Sequence, residues 1–134
     1  MKKLLLQLES QALNAYREND FITAITLYKK ILKIQDDFEH GGGWFQLASC
    51  YEETGQIELA LKSYQQSLKK DPDDYIKLCA YGSFLFQIKD YIGAYKIYNK
   101  IYHYEVANNI DPSNTLVAIS ELVKKNNILG SELL

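Results

Sequence analysis

Trp44-Phe45-Gln46-Leu47-Ala48-Ser49-Cys50-Tyr51-Glu52-Glu53-Thr54-Gly55-Gln56-Ile57-Glu58-Leu59-Ala60-Leu61-Lys62-Ser63-Tyr64 is the stretch whose reading decides the fold. Trp44, Leu47, Ala48 and Tyr51 fall at i, i+3, i+4 and i+7, which places large apolar groups and one small residue on a single helix face. Thr54-Gly55-Gln56 supplies residue types that turn the chain. A second helix follows, with Ala60, Tyr64, Ser67 and Leu68 facing inward. Ala48 and Ala60 are small because two helices cross closely only where short side chains let ridges enter grooves, so leucine at either position would overpack the crossing.

The same pattern recurs upstream and downstream, offset by 36 and then 34 residues. Leu8, Trp44 and Leu78 correspond, as do Ala12, Ala48 and Gly82, and Ala15, Tyr51 and Leu85. Ala24, Ala60 and Ala94 form a fourth column and Tyr28, Tyr64 and Tyr98 a fifth. The turns recur too, at Asn19-Asp20 and Lys89-Asp90. Five coincident columns make this a chain of helix pairs.

The pattern resembles the tetratricopeptide repeats, whose signature is W-x2-L-G-x2-Y, then a small residue, an aromatic and a proline. The second unit matches with Trp44, Leu47, Ala48, Tyr51, Gly55, Ala60, Tyr64 and Pro72. The first is weaker, with Leu8, Ala12, Asn19, Ala24, Tyr28 and Asp36, and the third has Tyr81, Gly82, Asp90, Tyr91, Ala94 and Tyr98. The resemblance covers about residues 5–106 and implies an all-α fold, a right-handed superhelical stack of antiparallel helix pairs with about seven helices. One domain over 1–134 is expected, with repeats at about 5–38, 41–74 and 75–108 and a capping helix at about 112–127.

Two departures are informative. Gly41-Gly42-Gly43 lies where two extra residues separate the first units, and glycine weakens helices, so a loose or irregular junction is expected. The proline after the third unit comes six residues late, at Pro112, so the helix starting near Tyr91 should extend through Val106 or beyond. Asp111-Pro112-Ser113 then starts a last helix, with Asp as cap and Pro in the first turn, whose face of Leu116, Ile119, Leu122 and Val123 seals the stack. A fourth unit cut short is the alternative, and Gly130 to Leu134 should fray. Tyr91, Tyr95, Tyr98 and Tyr102, with Tyr104 beside them, form a stripe read as core against the terminal helix; exposed, it would be a second contact or self-association face.

Composition narrows function. A formal net charge of −2, scattered basic residues and a single arginine, Arg17, argue against nucleic acid and phosphate. Cys50 and Cys79 make neither a zinc pattern nor a disulfide framework and read as reduced, packed thiols, which with the lack of a membrane-length apolar run suggests a cytoplasmic protein. No paired carboxylates, nucleophile with base or metal-ligand spacing occurs, and His40 and His103 stand alone, so neither an enzyme nor a cofactor is expected. The glycine run is followed by Trp44 and not by the Lys-Ser/Thr of a phosphate loop.

The resemblance implies that the first helix of each pair lines a concave groove where partners bind. Helical offset places there Glu9, Leu13, Tyr16 and Arg17, then Phe45, Ser49, Glu52 and Glu53, then Ile76, Cys79, Ser83, Phe86 and Gln87. A subgroup of the family clamps the chaperone C-terminal carboxylate with Lys, Asn and Arg; here those places hold Glu9, Leu13, Gln46, Ile76 and Ala80, so that clamp is missing. The expected ligand is a protein or peptide segment with apolar and some basic residues, bound by a monomer or weak homodimer. The resemblance accommodates an adaptor, a dedicated chaperone, an inhibitory or immunity-type partner, and, as the alternative, a self-associating scaffold.

Overall fold

The computed structural model describes residues 1–126; the expected fraying of the tail and the last residue of the capping helix lie outside them. Seven α-helices and no strand are present among the described residues: α1 (Lys2–Arg17), α2 (Phe21–Ile34), α3 (Gly42–Glu53), α4 (Ile57–Lys70), α5 (Tyr75–Gln87), α6 (Tyr91–Ala107) and α7 (Ser113–Asn126). The chain divides into two compact units, Met1–Pro72 and a second from Asp73 onward.

The turns inside the three helix pairs share one construction, which recurs between α6 and α7 at Asn109, φ 57°. Asn19, Gly55 and Lys89 take left-handed backbone, φ 61°, 73° and 66°. Each lets the next amide donate to the carbonyl five residues back: Asp20 to Ala15 at 2.8 Å, Gln56 to Tyr51 at 2.8 Å and Asp90 to Leu85 at 2.9 Å. Asp20 and Asp90 then cap the following helix, accepting from the amides of Thr23 (3.2 Å) and Gly93 (3.0 Å), as Asp74 does for Lys77 (3.0 Å).

In the first unit α1 packs on α2, α2 on α3 and α3 on α4. The small residues stand at the crossings: Ala12, Ala24, Ala48 and Ala60 are fully buried, with Tyr28 and Tyr64 beside them. The glycine junction is irregular but not loose. A short 3-10 turn at Phe38–Gly41 carries left-handed backbone at Glu39, His40 and Gly41. Phe38 is buried within it, and the Ser67 hydroxyl donates to the Gly41 carbonyl at 2.7 Å. The glycines serve close approach: a Cβ on Gly41 would stand 2.7 Å from the Ser67 carbonyl oxygen, and one on Gly43 3.0 Å from Leu32.

In the second unit α5 packs on α6 and α6 on α7 around Leu78, Phe84, Leu85, Ala94, Ile101 and Leu122. Among the described residues α6 is the longest helix, and α7 packs against it. The inward row of α7 is Thr115, Ile119 and Leu122; Leu116, expected on it, is 47 % exposed, because it lies about 100° around the helix from Thr115. Pro112 stands just before α7, and Asp111 accepts from the Ser113 amide at 3.0 Å.

The tyrosine stripe of α6 is half-buried and not core. Tyr98 abuts Gly82 of α5, Tyr91 meets Phe86 edge-on at 5.8 Å and lies under Lys125 of α7, and Tyr104 stacks on Tyr75 at 5.0 Å. The inner row of α6 is Ala94, Ile101 and Glu105. Glu105 is 5 % exposed; one carboxylate oxygen accepts from the Tyr75 hydroxyl at 2.7 Å and the other is buried without a hydrogen bond.

Candidate partner-binding site

The first helices of the two pairs in the first unit bring their predicted site residues together. Glu9, Leu13 and Tyr16 stand on successive turns of α1, and Phe45, Ser49 and Glu52 on successive turns of α3. The Tyr16 and Ser49 hydroxyls hydrogen-bond at 2.7 Å and tie the helices across 33 residues of chain. Tyr64 donates to Glu52 at 2.7 Å and meets the Phe45 ring edge-on at 6.1 Å, so Glu52 and Phe45 are held from α4.

Between α1 and α3 lies a cavity of about 200 Å³ lined by Glu9, Leu13 and Phe45 together with Tyr28, Phe38, Glu39, Gly42, Gly43 and Gln46. Leu13 and Phe45 give it apolar walls, and Glu9 and Glu39 give it two carboxylates. Glu39 lines it from left-handed backbone, which no residue spacing signals. Arg17 and Glu53 are exposed and lie outside the cavity.

Tyr28 lines the same cavity, 1 % exposed, with its hydroxyl buried and without a hydrogen-bond partner. Burial raises its pKa strongly, and burial with the Glu52 hydrogen bond does the same for Tyr64. The two tyrosines should respond oppositely to loss of the hydroxyl. Tyr28→Phe removes an unpaired polar group and is expected to leave stability unchanged or raise it by about 1 kcal/mol, whereas Tyr64→Phe breaks a bond to a carboxylate and should cost about 1–2 kcal/mol. Urea unfolding of the two variants side by side reads this; a larger loss for Tyr28→Phe would refute the assignment.

In the second unit Ile76, Cys79, Ser83, Phe86 and Gln87 form one row along α5. Ile76 is 71 % exposed, Cys79 and Phe86 are half-buried, and Gln87 reaches Ser83 at 3.4 Å. Both cysteines are free thiols. Burial pushes Cys50 up to about 11 and raises Cys79 as well, so neither is an activated nucleophile. Among the described residues no three His, Cys, Asp or Glu side chains gather as metal ligands, and no helix is long and apolar enough to cross a membrane.

Helix pairs with small residues at each crossing, one left-handed turn per pair and a row of half-exposed groups on each first helix define an all-α helical-repeat protein. The chain has the tetratricopeptide-repeat fold, and residues 43–74 match the tetratricopeptide repeat family itself. No curated protein matches the sequence. Among solved structures, the Sgt2 TPR domain from Aspergillus fumigatus is similar at TM-score 0.71 and 22 % identity, over 92 % of this chain and 79 % of that one. The Yersinia enterocolitica type III secretion translocator chaperone SycD, in an alternative dimer, gives 0.75 and 18 % over 94 % and 96 %. The first TPR of Spaghetti (RPAP3), bound to the HSP90 peptide SRMEEVD, gives 0.69 and 17 % over 92 % and 93 %.

Proposed function

We propose that the protein is a non-catalytic protein-interaction module of the cytoplasm that holds a segment of a partner protein on its first-helix faces. The cavity between α1 and α3 carries this reading: an apolar side chain of the partner enters between Leu13 and Phe45, and a neighbouring lysine or arginine meets Glu9 and Glu39. The orphan hydroxyl of Tyr28 offers a hydrogen bond to a polar group of the same segment. The exposed row of α5 adds apolar contact through Ile76 and Phe86.

The solved relatives support protein or peptide ligands, since one is a secretion chaperone and another holds an HSP90 peptide. The carboxylates at the α1–α3 cavity favour a partner of different charge from that acidic peptide. We favour a dedicated partner, as a chaperone or an inhibitory or immunity-type protein, over a general adaptor. Affinity capture from the native source, read by mass spectrometry, compares the wild type with a Phe45→Glu, Phe86→Glu variant of unchanged circular dichroism. One dominant protein, lost in the variant, is the expected result; retention of the same proteins would place binding elsewhere.

Self-association is the second reading, favoured by Leu116 and Val117, which α7 leaves 47 % and 64 % exposed. Light scattering that doubled in mass with concentration would select it.

A further inference from the structure

A larger cavity, of about 750 Å³, lies on another face of the first unit, between α2 and α4 with α3 as its floor. Trp44, Leu47 and Tyr51 of α3 form that floor, with Leu32 and Leu59 on the walls. The rim is basic: Lys29, Lys30 and Lys33 from α2 and Lys62 from α4 are all exposed, and no carboxylate is among the lining residues. None of the four is in an ion pair among the described residues, where the salt bridge present joins Lys70 to Asp36. The nearby Asp36 is thus already neutralised, and its carbonyl accepts the Trp44 indole N–H at 2.9 Å, which fixes the ring at the end of the groove.

Four unpaired ammonium groups around an apolar floor are an unusual feature in a chain of formal net charge −2. Local self-repulsion is relieved only by a counter-charge, and the floor is wetted only while the groove is empty. Lys29 and Lys33 stand one turn apart on α2, with Lys62 on the opposing wall, so carboxylates on both flanks of one amphipathic helix can meet both walls.

We propose that this groove is a second docking surface, for an amphipathic helical segment of a partner protein whose apolar face is flanked by Asp and Glu. It goes beyond the α1–α3 cavity and has the opposite charge preference, so the two surfaces can engage one partner with a charge-segregated sequence, or two partners.

The protein carries its own reporter, because Trp44 on the groove floor is the single tryptophan of the chain. Three peptides of about 16 residues, roughly 24 Å as helices, share a leucine stripe and differ in a polar face of Glu, Gln or Lys. The Glu peptide is expected to shift Trp44 emission saturably, and to bind less tightly as salt rises from about 20 to about 300 mM. A Lys29→Glu, Lys33→Glu, Lys62→Glu variant with unchanged circular dichroism should lose about tenfold or more in affinity, as should the corresponding Lys→Gln variant to a lesser degree. Phe45→Glu should bind the peptide normally, which separates this surface from the α1–α3 cavity. Equal binding of the Lys peptide, or undiminished binding by the charge-reversed variant, overturns the proposal. So does a Trp44 response to rising protein concentration alone or to phosphatidylserine vesicles in place of the peptide.

Discussion

Replacing Gly41 with alanine is expected to destabilise the first unit by about 3 kcal/mol, from left-handed strain and overpacking together. Its φ of +90° disfavours any side chain, and the added methyl would press on the Ser67 carbonyl oxygen at 2.7 Å and the Lys70 Cβ at 2.9 Å. The first of those atoms is helix backbone and cannot swing aside, so the turn must move away from α4 and give up the Ser67–Gly41 hydrogen bond. Gly55 is the internal control: its φ is +73° with nothing within 4 Å of the added atom. Gly55→Ala should therefore cost only the conformational share, about 1–2 kcal/mol. Urea unfolding followed by Trp44 fluorescence measures both; equal losses would mean that contact with α4 contributes nothing.

Alkali should unfold the protein between about pH 11 and 12, before the usual titration of lysine charge is complete. Burial raises Tyr28, then burial and the Glu52 bond raise Tyr64, and burial lifts Cys50 to about 11. In the unfolded chain these groups release protons near their ordinary values, about 10 for tyrosine and about 8.5 for cysteine. From about pH 8 upward the unfolded state therefore holds fewer protons than the native one, first at Cys50 and then at the two tyrosines, and stability falls as pH rises. Below that range all three groups are protonated in both states and contribute no slope. Each contributes up to about 1.4 kcal/mol per pH unit, so the three together remove at most roughly 4 kcal/mol per unit between about pH 10 and 11, and the two tyrosines at most roughly 3 above that, where Cys50 ionises in the native state too. Far-UV circular dichroism against pH gives the midpoint. A Tyr28→Phe, Tyr64→Phe variant should unfold more gradually and at higher pH; an unchanged curve would contradict the assigned protonation.

The helix pairs were legible because steric demand repeats. Ala24, Ala60 and Ala94 are all fully buried, and the turns fall where Asn19, Gly55 and Lys89 suggested. The Tyr28, Tyr64 and Tyr98 column holds less well, since Tyr98 is only half-buried. The glycines suggest only a weak helix start along the chain, whereas Gly41 and Gly43 serve close approach to Ser67, Lys70 and Leu32, neighbours distant in sequence that leave no local trace. Glu105 follows Ile101 by one turn on the inner row of α6 and could have been placed by that spacing; its unpaired oxygen could not. Of the predicted site, Glu9, Leu13 and Phe45 meet because both first helices present the same offsets. The lysine-rimmed groove is not legible in the sequence, because its residues come from three helices and look, along the chain, like ordinary solvated charge.

The main helix contacts join neighbours in chain order: α1 with α2, α2 with α3, α3 with α4, α5 with α6 and α6 with α7. Forming any of them closes only a short loop, so little chain entropy is lost before burial repays it. Such a chain can acquire structure progressively as it emerges from the ribosome, with α2, α3 and α4, and then α6 and α7, each finding its mate already made. The helix that opens each unit, α1 or α5, must present its apolar face to other proteins until the next helix has been made.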